Sequence, residues 1–304
     1  MLKIMKKTTV LKLLLAITAV ITLTSCSSSS EEEVITPKEP IGDYAFKHKA
    51  LLEEYTSISC TYCPYGAFIL QELEKTEIKD KYISVAVHDN FGGIKDPFKV
   101  HNVNDFIKAT RASYFPALFW NRNKNVWGIE NAFFNLTGEK DELNEDKTLE
   151  SIRKRGELKT SSIVGIKINS DIKNTKGQVT FSVKFAEDFN QDIKYSVYII
   201  EDGLKQRQYN GTPLYGNKNG SGRWENDFIH NHVLRAADTF LGTIIPSSQT
   251  LKNKETTLTV ELDQFTVENI ENSSVVVVIM NNNGAVLNSQ KAKANTKQDY
   301  EIIK

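Results

Sequence analysis

Residues Ala50 to Leu73 constrain this chain most. An apolar, strand-like run, Ala50-Leu51-Leu52, continues through Glu53-Glu54-Tyr55-Thr56 into Cys60-x-x-Cys63-Pro64. A helical pattern follows at once, with Phe68, Ile69, Leu70 and Leu73 at helix spacing. A thiol at a helix start meets unpaired backbone N–H groups and the positive end of the macrodipole, and both favour thiolate. The second cysteine lies three residues on and can close a disulfide with the first. Pro64 is tolerated because the first helical turn needs no N–H from it. This order predicts that Cys60 is the more exposed and more acidic thiol.

The N-terminal residues stand apart from any fold. Lys3, Lys6 and Lys7 form a positive stretch, and Leu13 to Leu23 is an apolar core of secretory-signal length, too short to span a bilayer. Leu23-Thr24-Ser25-Cys26 resembles a lipobox, which implies cleavage before Cys26 and its acylation. An ordinary signal peptide with a chance cysteine is the alternative. Ser27 to Pro40 is polar, acidic and proline-bearing, and reads as a tether. Its serine-rich, then acidic, run resembles the surface-export signal of some Gram-negative lipoproteins, although an acidic linker looks the same. The expected division is a signal peptide over 1–25, a tether over 26–43, and domains over 44–156 and 157–304.

The 304 residues carry 38 basic and 38 acidic side chains, which gives no sign of a nucleic-acid partner or a broad basic membrane face. Three cysteines are present, so lipidation of Cys26 leaves Cys60 and Cys63 as the pair of the mature chain. Export places them where disulfides persist. A zinc site would need two more ligands, and no second Cys-x-x-Cys or His-x-x-His occurs, so no metal or other cofactor is expected. A purely structural disulfide over so short a loop would stabilise little.

Further elements follow in order. Tyr82 to His88 reads as a β-branched strand, Asp89 to Val100 as a loop and Val103 to Ser113 as a helix. Pro116 to Arg122 and Val126 to Gly128 read as a hairpin, and Glu142 to Arg155 as an amphipathic helix. His88 stands at a strand end, either as a partner for Cys60 or as an ordinary hydrogen-bonded residue. Past Gly156 the period becomes two. Strands are expected at 163–168, 178–185, 193–200, 230–236, 256–262, 274–280 and 285–292. About seven short strands argue for an antiparallel sandwich of immunoglobulin-like size. The long connection Asp202 to Ile229 is rich in Gly and Asn, and loops of that length are commonly functional. On a strand over 230–236, His230 and His232 would share a face, either as two metal ligands or as a polar face that docks the long loop.

Two resemblances add to this reading. Glu54 to Cys63 resembles the strand, loop and active-site helix start of thioredoxins, where an acid lies six residues before the first cysteine, as Glu54 does. That family also has a cis proline facing the cysteine pair, and Tyr114-Phe115-Pro116-Ala117 places Pro116 at the matching distance, without the family's usual flanking residues. Together with the lipobox and the segment His230 to Ala236, the chain resembles Omp28-related outer-membrane lipoproteins. The resemblance implies an α/β thioredoxin-like domain followed by an all-β antiparallel, immunoglobulin-like sandwich. Its lipid anchor would hold it on the periplasmic face or the cell surface.

Two functions remain open on the sequence. One is a thiol–disulfide oxidoreductase acting on a protein thiol or disulfide. Cys60 would attack, Cys63 would resolve, Glu54 would relay a proton and Pro116 would shape the groove. The other is a surface binding or adhesion module that uses the same fold as a scaffold for a surface ligand.

Overall fold

The computed structural model describes residues 43–122 and 158–304. Strand β1 (Ala50–Thr56) leads into helix α1 (Cys63–Leu73) and strand β2 (Tyr82–His88), then helix α2 (Val103–Thr110) and β3 (Ala117–Trp120). In the second half come β4 (Val164–Ile172), β5 (Gly177–Phe185), β6 (Ile193–Glu201), β7 (Gln208–Asn210) and β8 (Arg223–Glu225). They are followed by β9 (Val233–Ala237), β10 (Glu255–Leu262), β11 (Ser273–Asn281) and β12 (Val286–Lys293). The sequence-predicted hairpin strand Val126 to Gly128, the helix Glu142 to Arg155, and the signal and tether fall outside the described residues.

The expected thioredoxin-like α/β domain followed by a separate immunoglobulin-like sandwich does not form. The described residues are mostly strand, with two α-helices, and fall in one compact unit. One eight-stranded sheet draws on both halves, in the order β12-β11-β6-β9-β2-β1-β3, with Thr243–Ile245 also pairing β6. The junction is β2 to β9, which run parallel with Val233 opposite Ala86, and the Ala86 N–H donates to the His232 carbonyl at 2.7 Å. β1 and β2 are parallel, as a helical crossover requires, and β3 lies antiparallel to β1.

Burial explains why β11 does not sit in a sandwich with one wet face. All nine of its residues are buried, and Val275 to Met280 is an unbroken apolar run, the mark of a strand covered on both sides. Val275, Val277 and Ile279 pack towards a four-stranded sheet of β10, β5, β4 and Lys297–Gln298. Val276, Val278 and Met280 pack on the opposite face with Phe106 of α2, Tyr198 and Phe240. Each such side chain contributes roughly 1.5–3 kcal/mol by leaving water. Helix α1 shares the first of these faces, covering Ala50, Leu52, Leu118 and Trp120 with Ile69, Leu70 and Leu73.

Strand alternation separates two adjacent acids. Glu53 points to the α2 face and is held by Arg122, whose Nε and Nη2 donate to its two oxygens at 2.7 and 2.6 Å. Arg122 also donates to the Tyr198 hydroxyl and to the Phe240 carbonyl. Glu54 points the other way, beneath α1.

Candidate functional site

The strand ends bring the site together. Thr56 of β1 lies opposite His88 of β2, so Glu54, Thr56, Ala86 and His88 face the same side, under α1. A cavity of about 670 Å³ opens between these strand ends, α1 and the connection from Asp202 to Ile229. Glu54, Cys63, His88, His230 and His232 all line it.

Cys60 and Cys63 are joined as a disulfide with a Cα separation of 5.4 Å. Cys63 is the first residue of α1, with Tyr62 at the N-cap, while Cys60 precedes the helix in a turn closed by its own N–H donating to Ser57 O at 3.2 Å. Both are 2% exposed, so Cys60 does not stand out from Cys63 as the sequence led one to expect. The long connection is the reason. Its first part runs along residues 57–61, with Tyr209 N–H donating to Ile58 O at 2.7 Å and Gly211 N–H to Thr61 O at 2.9 Å. The buried Gln208 amide donates to Ser57 O and Cys60 O at 3.2 and 3.1 Å. A Cβ on Gly211 would stand 2.3 Å from Thr61 Cγ2, so glycine lets the connection come this close without displacing Thr61. The connection is a built strap: β7 pairs with β8, and Asn210 and Asn217 hold the turn between them.

Glu54 is 3% exposed, and its Oε1 has no hydrogen-bond partner. Burial pushes its carboxyl up to about 7, with His88 pulling weakly the other way. Gly66, one turn into α1, makes room for it: a Cβ there would lie 2.2 Å from Glu54 Oε1 and 3.4 Å from Pro116 Cβ. Pro116 is buried, and its peptide bond with Phe115 is cis. Glu54, Gly66 and Pro116 thus meet beneath the turn that starts with Cys63. Gly66 escaped the sequence reading, because a glycine in a helical run signals nothing about a carboxylate arriving from another element.

The histidines divide. His88 Nδ1 lies 2.9 Å from Asp96 Oδ2, and Asp96 also accepts from the Ile58 and Phe98 amides. Burial alone would raise the Asp96 carboxyl, but His88 and those amides outweigh it and hold it low. His88 is thereby tied to the 57–60 turn through Asp96. His230 packs edge-on to His88 with ring centroids 5.4 Å apart, and its Nε2 has no partner. Burial and the neighbouring His88 push it down to about 3, so it is neutral.

His232 does not share a strand face with His230. It adopts φ 57°, and β9 begins only at Val233. Its Nε2 lies 2.9 Å from Glu74 Oε1 at the end of α1, and its Nδ1 lies 3.2 Å from Asp202 Oδ1, near enough for charge attraction though out of hydrogen-bond alignment. Burial opposes the charge on His232, yet Asp202 and Glu74 outweigh it and raise the imidazole to about 9. Among the described residues no group of three or more His, Cys, Asp or Glu side chains is placed to hold a metal ion. Nor is any described helix long and apolar enough to cross a membrane.

A sequence model described as "Outer membrane protein Omp28" matches residues 105–298, more than half of the chain. The chain belongs to the Omp28 outer-membrane protein family. The Omp28 match begins beyond the cysteine pair, so it bears on the sheet and strap and not on the disulfide. No curated protein matches. Among solved structures, HBP35 of Porphyromonas gingivalis superposes with a TM-score of 0.56 at 15% identity, over 83% of this chain and 77% of that one. At that identity the likeness is one of fold. A glucose-bound β-glucosidase from Kluyveromyces marxianus reaches a TM-score of 0.21 at 10% identity, over 47% of this chain and 15% of its own, too little to carry a relation.

Proposed function

We propose that this Omp28-family protein is a lipid-anchored thiol–disulfide oxidoreductase whose working couple is Cys60 and Cys63. The observation that carries the reading is Glu54, a buried carboxyl raised to about 7 that lines the same cavity as Cys63 and has one oxygen unpartnered. Near neutral pH such a group accepts and returns a proton with little driving force either way, which suits general acid–base work beside a thiol. Reduction turns Cys63 into a thiolate that needs a proton, and Glu54 supplies it. Oxidation runs the transfer in reverse. Pro116 and Gly66 keep the carboxyl beneath the helix start.

Cys26 supplies the anchor in this reading, holding the body at the outer membrane by acyl chains that bury many methylenes at ~0.8 kcal/mol each. Cys26→Ala should release the protein into the soluble fraction. Retention on membranes through a salt wash would remove the anchor from the proposal.

The activity is tested with the purified protein, a dithiol donor and a disulfide acceptor. Wild-type protein should pass electrons between them, Cys60→Ser and Cys63→Ser should each abolish the transfer, and Glu54→Gln should slow it by roughly 10²–10⁴-fold. Equal turnover in the cysteine variants would leave the disulfide as a scaffold element and favour a binding role.

A further inference from the structure

We infer that the redox partner of this disulfide is a small thiol or small disulfide that enters the cavity and reacts at Cys63, and not a protein. The inference rests on the oxidoreductase reading and specifies its substrate class. Its first support is the strap. Protein disulfides need an open edge around the cysteine pair, and here Gln208 to Gly211 is hydrogen-bonded along that edge, leaving both cysteines 2% exposed. Its second support is asymmetry: Cys63 lines the cavity and Cys60 does not. Its third is the cavity wall, where two buried polar atoms, Glu54 Oε1 and His230 Nε2, lack protein partners. Buried polar atoms left so are costly unless something else satisfies them. Tyr215, Trp224 and Phe228 supply the apolar wall. A volume of about 670 Å³ lies within the range of small-molecule sites.

The chemistry balances without another reagent. A thiolate in the cavity attacks Cys63 Sγ; the bond to Cys60 breaks, and its electron pair leaves on Cys60 as thiolate. A second thiol attacks the outer sulfur of the mixed disulfide on Cys63 and frees Cys63 as thiolate. Glu54 protonates that thiolate and is itself reprotonated by the proton the incoming thiol has lost. The Cys60 thiolate takes up the proton that the first small thiol lost on ionising, so two small thiols and the protein disulfide become one small disulfide and two cysteine thiols. This order of attack makes Cys63 the entry point, the reverse of the roles read from the sequence.

The test uses full-length protein in detergent and glutathione as the probe. Cys60→Ser and Cys63→Ser are each exposed to oxidised glutathione, and mixed disulfides are mapped by mass spectrometry against time. Cys63 in the first variant should form its adduct at least ten times faster than Cys60 in the second. Adding Ala67→Trp or Gln71→Trp, which fill the cavity from α1, should slow the Cys63 adduct at least tenfold. Gly211→Val, which pushes the strap from Thr61, should speed the Cys60 adduct instead. Faster or equal reaction at Cys60, or an unchanged Cys63 rate in both cavity variants, overturns the inference. Wild-type protein is also offered reduced glutathione and reduced thioredoxin. Reduction at least as fast by thioredoxin overturns the inference and leaves the oxidoreductase reading standing; reduction by neither overturns both.

Discussion

Glu54 makes the site respond to pH. Its carboxyl rises from an ordinary value of 4.5 to about 7 because it is buried, so the folded chain binds a proton there that the unfolded chain has released. Stability from this source is fully present below about pH 4.5 and is lost as pH rises through about 7, a loss of about 3 kcal/mol at 1.36 kcal/mol for each unit. Glu54→Gln should flatten that part of the pH–stability curve and unfold at higher denaturant than wild type at pH 8. Equal midpoints at pH 8 would mean that the carboxyl is not held in a dry site. Gly66→Ala should cost roughly 1–3 kcal/mol, because the new methyl falls on Glu54 Oε1; denaturant melts of the two proteins check it. The Cys60–Cys63 disulfide and the cis bond before Pro116 were legible because both lie within short motifs. Gly66 and the unpartnered Nε2 of His230 were not, since what surrounds each comes from a different element.

The strap, seen as an element, is fastened by charge at its far end. His232 sits between Glu74 of α1 and Asp202, where the connection begins. Its raised value of about 9 means that this stabilisation is full below about pH 6.5 and fades as pH climbs through 9. Asp202, held at about 2, keeps its own part until pH falls that far. Glu74 is half-exposed, so solvent screening holds the whole contribution to about 1–2 kcal/mol. His232→Gln should therefore lower the melting temperature by a few degrees at pH 6 and by much less at pH 10, as calorimetry would show. A deficit that does not shrink with pH would point to packing instead of charge. Sequence periodicity located β2, β4, β5, β6, β10, β11, β12 and both helices to within a few residues. It misread 230–236, because the left-handed backbone at His232 interrupts what looks like a continuous strand. Asp202 to Ile229 shows no strand period, since β7 and β8 are three residues each.

At the scale of the whole molecule, the two halves share one sheet. Strand positions were readable from alternation, but strand order was not, because pairing of β2 with β9 depends on residues about 150 apart in sequence finding one another. One clue was present: the run Val275 to Met280 is apolar without alternation, which argues for cover on both faces. A fragment ending at Gly156 would strip β2 of its neighbour and expose Val85, Val87 and Leu51. It should remain unfolded by circular dichroism, while the full chain melts in a single transition. A fragment with a cooperative melt of its own would contradict the shared sheet. The proposed oxidoreductase activity requires Cys60 and Cys63 to form a working redox couple in the folded protein. Its most direct test is an equilibrium titration of the native protein across glutathione redox buffers, with free thiols counted after acid quenching. A single reversible two-electron transition at Cys60 and Cys63, with the circular dichroism spectrum unchanged throughout, is the predicted result. A disulfide that yields only when the protein unfolds would contradict it.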